Sequence, residues 1–190
     1  MLHIALLEPQ IPPNTGNIAR LCAATDTALH LVEPLGFSLD DKHLKRAGLD
    51  YWDKVDLWRH PDWFEFRKAI SRERCIYFSA HASRSYLEAP YQKNSVLVFG
   101  REDTGLPARI IEKHPEQCFT IPMPGDVRSL NLATAAGIVL YEALRQVGRG
   151  SEVPEGAMDA ADGAAGTDAP AAAPKRGRTR RGGRGRSRKA

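Results

Sequence analysis

The sequence predicts an α/β fold with a mainly parallel sheet and helices on both of its faces. Along residues 1–150, short apolar runs typical of buried strands alternate with segments whose apolar side chains recur at helical spacing. The chain has 190 residues, of which 42% are hydrophobic. That length and composition are enough for one buried core of ordinary domain size.

Five apolar runs are the predicted strands: Leu2–Leu7, Leu29–Val32, Cys75–Ser79, Val96–Phe99 and Cys118–Ile121. Each run is continuous rather than alternating, as expected for strands buried on both faces of a parallel sheet. The predicted helices between and after them are Asn17–Thr25, a segment from Trp63 to Ile70, Pro107–Lys113 and the long Leu130–Val147. A short basic helix between Asp40 and Trp52 is expected to end at Gly48.

Charge divides the chain into a body and a tail. Residues 1–150 contain 18 Lys+Arg and 18 Asp+Glu, whereas residues 151–190 contain nine and five, so the tail holds the whole net charge of +4. Residues 151–174 are rich in Ala, Gly and Pro, and residues 175–190 hold all nine basic residues of the tail. We therefore predict a globular domain over 1–150, a linker over 151–174 and a disordered basic tail over 175–190.

The composition excludes several classes of protein. Cys22, Cys75 and Cys118 are odd in number and widely spaced, which excludes a disulfide scaffold and disfavours a zinc site. The six histidines lack metal-ligand spacing, so no metal is expected. The N-terminal apolar run is too short for a signal peptide, and the longest run, Leu132–Tyr141, is too short to span a membrane. We expect a soluble, cytoplasmic protein without a membrane partner.

Three loops are candidate sites, because ligands of open parallel sheets bind beyond the carboxyl ends of the strands. The loops are Asn14–Arg20, Phe99–Pro107 and Ile121–Leu132. In the first loop Gly16 would allow a tight turn, and Thr15 or Asn17 would cap the helix that carries Arg20. In the third loop, Ser129 or Asn131 would cap the last helix.

Each loop also has a plain structural interpretation. The first and third could be ordinary helix starts, and the second an ordinary connection in which two glycines and a proline form the bend. No G-x-G-x-x-G follows the first strand and no P-loop motif occurs, which excludes the common dinucleotide and nucleoside triphosphate sites. Taken singly, the loops leave the structural and the functional interpretations open.

Taken together, the loops resemble the motifs of the SPOUT superfamily of RNA methyltransferases. Within it, the chain is most similar to the small tRNA (cytidine(34)-2'-O)-methyltransferases, and the similarity covers residues 1 to about 147. Five segments carry it: Glu8–Cys22, Leu31–Phe37, Lys45–Tyr51, Phe99–Pro107 and Ile121–Ala143. The second and third segments are typical of this subgroup, and the other three resemble the motifs of the superfamily.

The resemblance implies a deep trefoil knot at the C-terminal end of the fold, which is a rare exception to the usual rules of topology. It implies a homodimer with the last helix at the interface, and S-adenosylmethionine bound in the knot, with S-adenosylhomocysteine as product. Carried over residue by residue, it assigns cofactor binding to Phe78, Gly100, Ile121 and Ser129. The positions expected to shape the site are Asn14, Leu130 and Asn131.

The implied reaction is 2'-O-methylation of the ribose at wobble position 34 of tRNA, on cytidine or a modified uridine, with leucine isoacceptors as the expected substrates. A ribose hydroxyl is a weak nucleophile, so it must lose its proton as it attacks the methyl group in line. The resemblance places Arg20 at this step. Because a guanidinium stays protonated in proteins, we assign Arg20 to the target phosphate and the developing alkoxide, with proton abstraction by Arg20 as the alternative.

Two regions are expected to contact RNA. Lys45 and Arg46 precede Tyr51 and Trp52, which combines positive charge with aromatic faces for unpaired bases. The plain alternative is a partly buried aromatic pair beside solvated basic residues. The Gly/Arg tail has the composition of an RNA-binding segment. Two other functions remain open at this point: methylation at another tRNA or rRNA position, and a knotted RNA-binding protein without catalysis.

Overall fold

A seven-stranded sheet carries the fold in the computed structural model, which describes residues 1–39 and 54–148. In chain order the strands are β1 (His3–Leu7), β2 (Ala28–Val32), β3 (Leu57–His60), β4 (Cys75–Phe78), β5 (Arg84–Ser85), β6 (Val96–Phe99) and β7 (Cys118–Thr120). Their order across the sheet is β3-β2-β1-β6-β4-β7-β5, and every neighbouring pair is parallel. The predicted mainly parallel sheet is confirmed.

The α-helices of the described residues are α1 (Pro12–Thr25), α2 (Trp63–Ala69), α3 (Ala108–Lys113) and α4 (Leu132–Gln146). Helices α1 and α4 pack together on one face of the sheet, where Ile18 and Leu140 are fully buried. Helices α2 and α3 cover the other face through Phe66 and Ile110. Helices therefore lie on both faces, as the sequence predicted.

Burial on both faces explains the continuous apolar runs of the sequence. Every residue of β2, β4 and β6 is buried. Fully burying one large aliphatic or aromatic side chain contributes about 1.5–3 kcal/mol, so these strands form the core and fix the positions of the loops that follow them.

Two strands were not predicted, because they have little to bury. Strand β3 lies at one edge of the sheet, where Trp58 and Arg59 are exposed, so the segment contains no apolar run. Strand β5 has two residues, lies at the other edge and pairs with β7. Edge strands are commonly short and polar, and apolar runs therefore mark only the five inner strands β1, β2, β4, β6 and β7.

The predicted start of α1 is wrong. The helix begins at Pro12 with Ile11 as its N-cap residue, and no side chain caps it from within the loop. Thr15 and Gly16 lie inside the helix, so Gly16 makes no tight turn and neither Thr15 nor Asn17 is the cap. Prolines are well accommodated in a first helical turn, because N–H groups there have no acceptor within the helix.

Three histidines on neighbouring strands form a hydrogen-bonded array beneath α2. His3 Nδ1 lies 3.0 Å from His30 Nε2, and His30 Nδ1 lies 3.0 Å from His60 Nε2. His30 is 3% exposed, and the rings of Trp58 and Phe66 pack against it. Burial, together with the neighbouring histidines and Arg74, lowers the pKa of His30 to about 3.

The other two members of the array are also shifted towards the neutral form. Burial lowers the pKa of His3, with Arg74 and the N-terminal amine acting in the same direction and Asp56 opposing them. Burial lowers the pKa of His60 as well. The folded protein therefore holds this array uncharged at neutral pH, with imidazole nitrogens as mutual hydrogen-bond partners.

Other expectations fall outside the described residues. These are the basic helix with Lys45 and Arg46, the linker over 151–174 and the tail over 175–190. Within residues 1–39 and 54–148, no group of three or more His, Cys, Asp or Glu side chains is arranged to hold a metal ion. No helix in that part of the chain is long and apolar enough to cross a membrane.

The histidine array makes stability depend on pH. An unfolded histidine titrates near pH 6.5, and the folded pKa values are lower, so the unfolded chain binds more protons below that pH. We expect the free energy of unfolding to be highest above about pH 7 and to fall as the pH drops below 6.5. His30→Leu should flatten this dependence between pH 7.5 and 5 in denaturant titrations. The exposed His81→Ala should leave the slope unchanged, and an unchanged slope in His30→Leu would contradict the assignment.

Candidate functional site

A cavity of about 240 Å³ lies at the carboxyl edge of the sheet, where β4, β6 and β7 end. Three loops form its walls: residues 78–81 after β4, residues 99–105 after β6 and residues 120–130 after β7. Helix α4 closes one side through Leu132 and Ala135. Parallel strands end at the same edge of a sheet, and the cavity therefore lies where ligands of this architecture bind.

The positions that the sequence assigned to the cofactor come together at this cavity. Phe78, Gly100, Ile121 and Ser129 all line it, as does Leu130. They come from three loops that are far apart in the chain. No ligand contact tests their roles, which therefore remain predictions.

The floor of the cavity is aromatic. Phe78 and Phe99 are opposite each other in the β4–β6 register, and their rings stack with centroids 5.1 Å apart at 20°. Both side chains are buried. The loops above them add apolar side chains, whereas the rim carries both charges, from Arg101, Glu102 and Arg128. The lining thus offers an apolar surface to one part of a ligand and charged groups to another.

The loop after β6 closes on itself at Gly100. A Cβ atom at Gly100 would lie 2.1 Å from the carbonyl carbon of Gly105 and 2.2 Å from the amide nitrogen of Leu106. The same turn is held by two backbone hydrogen bonds between Arg101 and Gly105, of 3.2 and 2.9 Å. Gly105 itself has a φ of +70°, which favours glycine. Only glycine at position 100 allows this approach.

Glu102 is the residue that sequence reasoning missed. Its carboxylate accepts hydrogen bonds from the backbone N–H of Gln10 at 2.8 Å and of Ile11 at 3.1 Å. It also accepts a bond of 3.1 Å from Asn14 Nδ2. The sequence showed two adjacent acidic residues between two glycines, which gave no sign that the partners of Glu102 lie about 90 positions earlier.

The network continues from Asn14 to the start of α4. Asn131 Nδ2 donates to Asn14 Oδ1 at 2.9 Å, and Asn131 Oδ1 accepts from the backbone N–H groups of Ala133 and Thr134. Of the two cap candidates, Asn131 rather than Ser129 caps the helix. Asn14 and Asn131 therefore lie beside the cavity, although neither lines it.

Arg20 lies apart from the other predicted site residues. It is on the exposed side of α1, six residues after Asn14, and it does not line the cavity. Six residues correspond to about 9 Å along a helix axis. The structure therefore brings the predicted cofactor positions and the asparagines together at one edge, and places Arg20 further along the same helix.

Arg101 and Asp103 form an ion pair at the mouth of the cavity. Two hydrogen bonds of 3.0 Å join the guanidinium to the carboxylate, and Arg101 Nη1 also lies 3.6 Å from Glu8 Oε2. The bonds to Arg101 are the main cause that lowers the pKa of Asp103 to about 2. At neutral pH the rim therefore carries the positively charged Arg101 and the negatively charged Asp103.

Fold and cavity place the protein among the open parallel α/β proteins that bind a small ligand between loops at the carboxyl ends of their strands. Residues 1–141 match the SpoU rRNA Methylase family. The chain belongs to this family, and the resemblance found in its motifs is confirmed.

Individual relatives are similar over most of the described chain. The tRNA (cytidine(34)-2'-O)-methyltransferase of Escherichia coli (strain K12) is 48% identical over 149 residues, which are 78% of this chain and 95% of that protein. A solved structure concerned with the 2-OH methylation of C/U34 on tRNA has 49% identity and a TM-score of 0.72, covering 77% of this chain and 95% of that one. The AdoMet-bound rRNA methyltransferase of Sinorhizobium meliloti has 26% identity and a TM-score of 0.65, covering 76% and 56%.

The close approach at Gly100 predicts the effect of adding one methyl group. Gly100→Ala should lower the melting temperature by roughly 3–10 °C, because an overpacked contact costs about 1–3 kcal/mol. Gly125→Ala is the matched control, since a Cβ atom there would meet nothing within 4 Å. Differential scanning calorimetry of both variants checks the prediction, and equal melting temperatures would contradict it.

Proposed function

We propose that the protein methylates the 2'-hydroxyl of the ribose at wobble position 34 of tRNA, on cytidine or a modified uridine, using S-adenosylmethionine. The observation that carries this proposal is the convergence of two motif loops, Phe99–Pro107 and Ile121–Leu132, on one cavity in a chain of the SpoU rRNA Methylase family. The relatives concerned with C34 and C/U34 cover more than three quarters of the chain, which supports this nucleotide over another RNA position. Leucine isoacceptors remain our expectation for the tRNA.

The chemistry of the cavity fits S-adenosylmethionine. The aromatic and aliphatic floor, with Phe78 and Ile121, suits a flat adenine ring, and the charged rim suits the amino and carboxylate groups of the methionine part. Gly100 and Ser129 would contribute backbone and hydroxyl groups to the same ligand, with Leu130 beside them. When bound, S-adenosylmethionine supplies an electrophilic methyl group. The proposal includes no metal.

The residues of the chain would align and stabilise the attacking ribose. Arg20 is assigned to the phosphate beside the target ribose, where its fixed positive charge would also stabilise the oxyanion that forms as the hydroxyl loses its proton. Asn14 and Asn131 fix the start of α1 against the start of α4 by their 2.9 Å hydrogen bond. Alignment of this kind is the main contribution an enzyme makes to an in-line transfer.

We also propose the knot and the homodimer that the resemblance implies. The knot is supported by the match to the SpoU rRNA Methylase family and by the strand order, in which β7 lies between the earlier strands β4 and β5. The dimer is supported by α4, on which Ile138 and Tyr141 form an exposed apolar pair one turn apart, 36% and 56% exposed. Exposed apolar groups next to each other favour a protein interface.

The remaining RNA contacts are proposals from sequence alone. Lys45 and Arg46 are assigned to tRNA, and the division into residues 1–150, 151–174 and 175–190 separates the catalytic domain from a basic arm. The body of the chain is neutral, so this arm would supply the long-range attraction to a polyanion. We propose a cytoplasmic location, because the catalytic domain and the basic arm would encounter tRNA there.

Methyl transfer from labelled S-adenosylmethionine to tRNA lacking the position-34 modification tests the reaction. We expect a 2'-O-methylated wobble nucleotide by nucleoside mapping. Arg20→Ala should lower kcat/KM at least about 100-fold, because removal of one group that stabilises a developing negative charge lowers the rate by about that factor. Arg109→Ala, an exposed arginine on α3, serves as the control. Methylation at another position, or cofactor binding without transfer to any RNA, would favour the alternative functions instead.

Deletion of residues 151–190 tests the basic arm. If about half of its nine basic residues neutralise phosphates, the slope of log binding constant against log salt should flatten by about 3–4. The methylated nucleotide should stay the same. A variant in which a Gly/Ser segment of equal length replaces residues 151–190 controls for the length of the chain. An unaltered slope in fluorescence anisotropy titrations would contradict the role of the arm in tRNA binding.

A further inference from the structure

The carboxylate of Glu102 joins the loop after β6 to the entry of α1. Its two oxygens accept three hydrogen bonds, from Gln10 N, Ile11 N and Asn14 Nδ2, at 2.8–3.1 Å. Glu102 also lines the cavity. One side chain therefore touches both the loop assigned to the cofactor and the helix that carries Arg20.

Helix α1 depends on this contact, because its own sequence lacks a cap. Ile11 has an apolar side chain, and Pro12 and Pro13 have no N–H groups. The donors left at the entry are the N–H groups of Gln10 and Ile11, and both point to Glu102. A negative charge at a helix N-terminus is favourable through the helix dipole. Glu102 thus accepts from the N–H of the N-cap residue Ile11 from a distant loop, as the glutamate of a capping box does locally.

The position of Arg20 follows from that of the helix entry. Arg20 lies nine residues after Ile11, about 13 Å along the helix axis. A tilt of about 10° at the entry would move it by about 2 Å, and misplacement by about 1 Å costs on the order of 100-fold in rate. Glu102 is itself part of the Arg101–Gly105 turn, so its carboxylate joins that turn to the entry of α1.

We propose that Glu102 is a positioning residue that sets the alignment of Arg20 relative to the cofactor loop. The inference rests on the proposed methyl transfer. A carboxylate is required, because three donors converge on it. Glutamine at this position would turn its own N–H₂ group towards one set of donors and lose those bonds.

Glu102→Gln, Arg20→Lys and the double variant test the proposal, with Glu112→Gln, an exposed carboxylate on α3, as control. We expect Glu102→Gln to lower kcat about 10- to 100-fold while KM for tRNA changes less than about 3-fold. Because both residues act on one alignment, the double variant should be much less impaired than the product of the two single effects. Additive effects, or an unchanged kcat, would overturn the proposal.

Hydrogen exchange supplies a readout that does not need activity. At least one of the Gln10 and Ile11 amides should exchange faster in Glu102→Gln than in the wild type, because they bond to different carboxylate oxygens and glutamine keeps only one of them, whereas Glu112→Gln should leave both unchanged. Unchanged exchange at both amides would overturn the proposal even if the enzyme acted on another RNA. If the wild type transferred no methyl group but exchange was faster in Glu102→Gln, the proposed function would be contradicted. The contact of Glu102 with the entry of α1 would still be supported.

Discussion

The parallel register of the three central strands determines where the site lies. Leu6 is opposite Phe99, and Phe99 is opposite Phe78, so β1, β6 and β4 end at one level of the sheet. Their loops then leave at the same edge and must pack against one another. The self-closing turn at Gly100 fits this crowded edge, and the partly buried carboxylate of Glu102 finds its hydrogen-bond partners in the neighbouring segment.

The polar residues around the cavity pair with one another before any ligand arrives. Glu102, Asn14 and Asn131 form a continuous chain of hydrogen bonds from the loop after β6 to the start of α4. Networks of this kind hold side chains in one geometry when every member is satisfied. A site organised in this way loses less conformational entropy on binding than one built from free loops.

The sequence predicted the parallel sheet, because central strands such as β2 and β6 are buried on both faces and read as apolar runs. It could not predict β3, whose stability depends on pairing with β2 rather than on burial of its own Trp58. The motif order identified Gly100 and Ser129 as neighbours in space. The role of Glu102 was not predictable, since its partners are backbone N–H groups of Gln10 and Ile11, and backbone groups have no sequence signature.

The histidine array beneath α2 has a direction. A neutral His30 carries a single N–H, so it donates to either His3 or His60 and accepts from the other. Either both bonds are donated in the direction from His3 to His60, or both are donated in the direction from His60 to His3. The three rings therefore have two tautomeric arrangements of opposite polarity. Reversal requires both hydrogens to move together with the ring tautomers at the two ends. The tautomer of the half-buried His3 ring thus reports the state of the His60 ring two strands away.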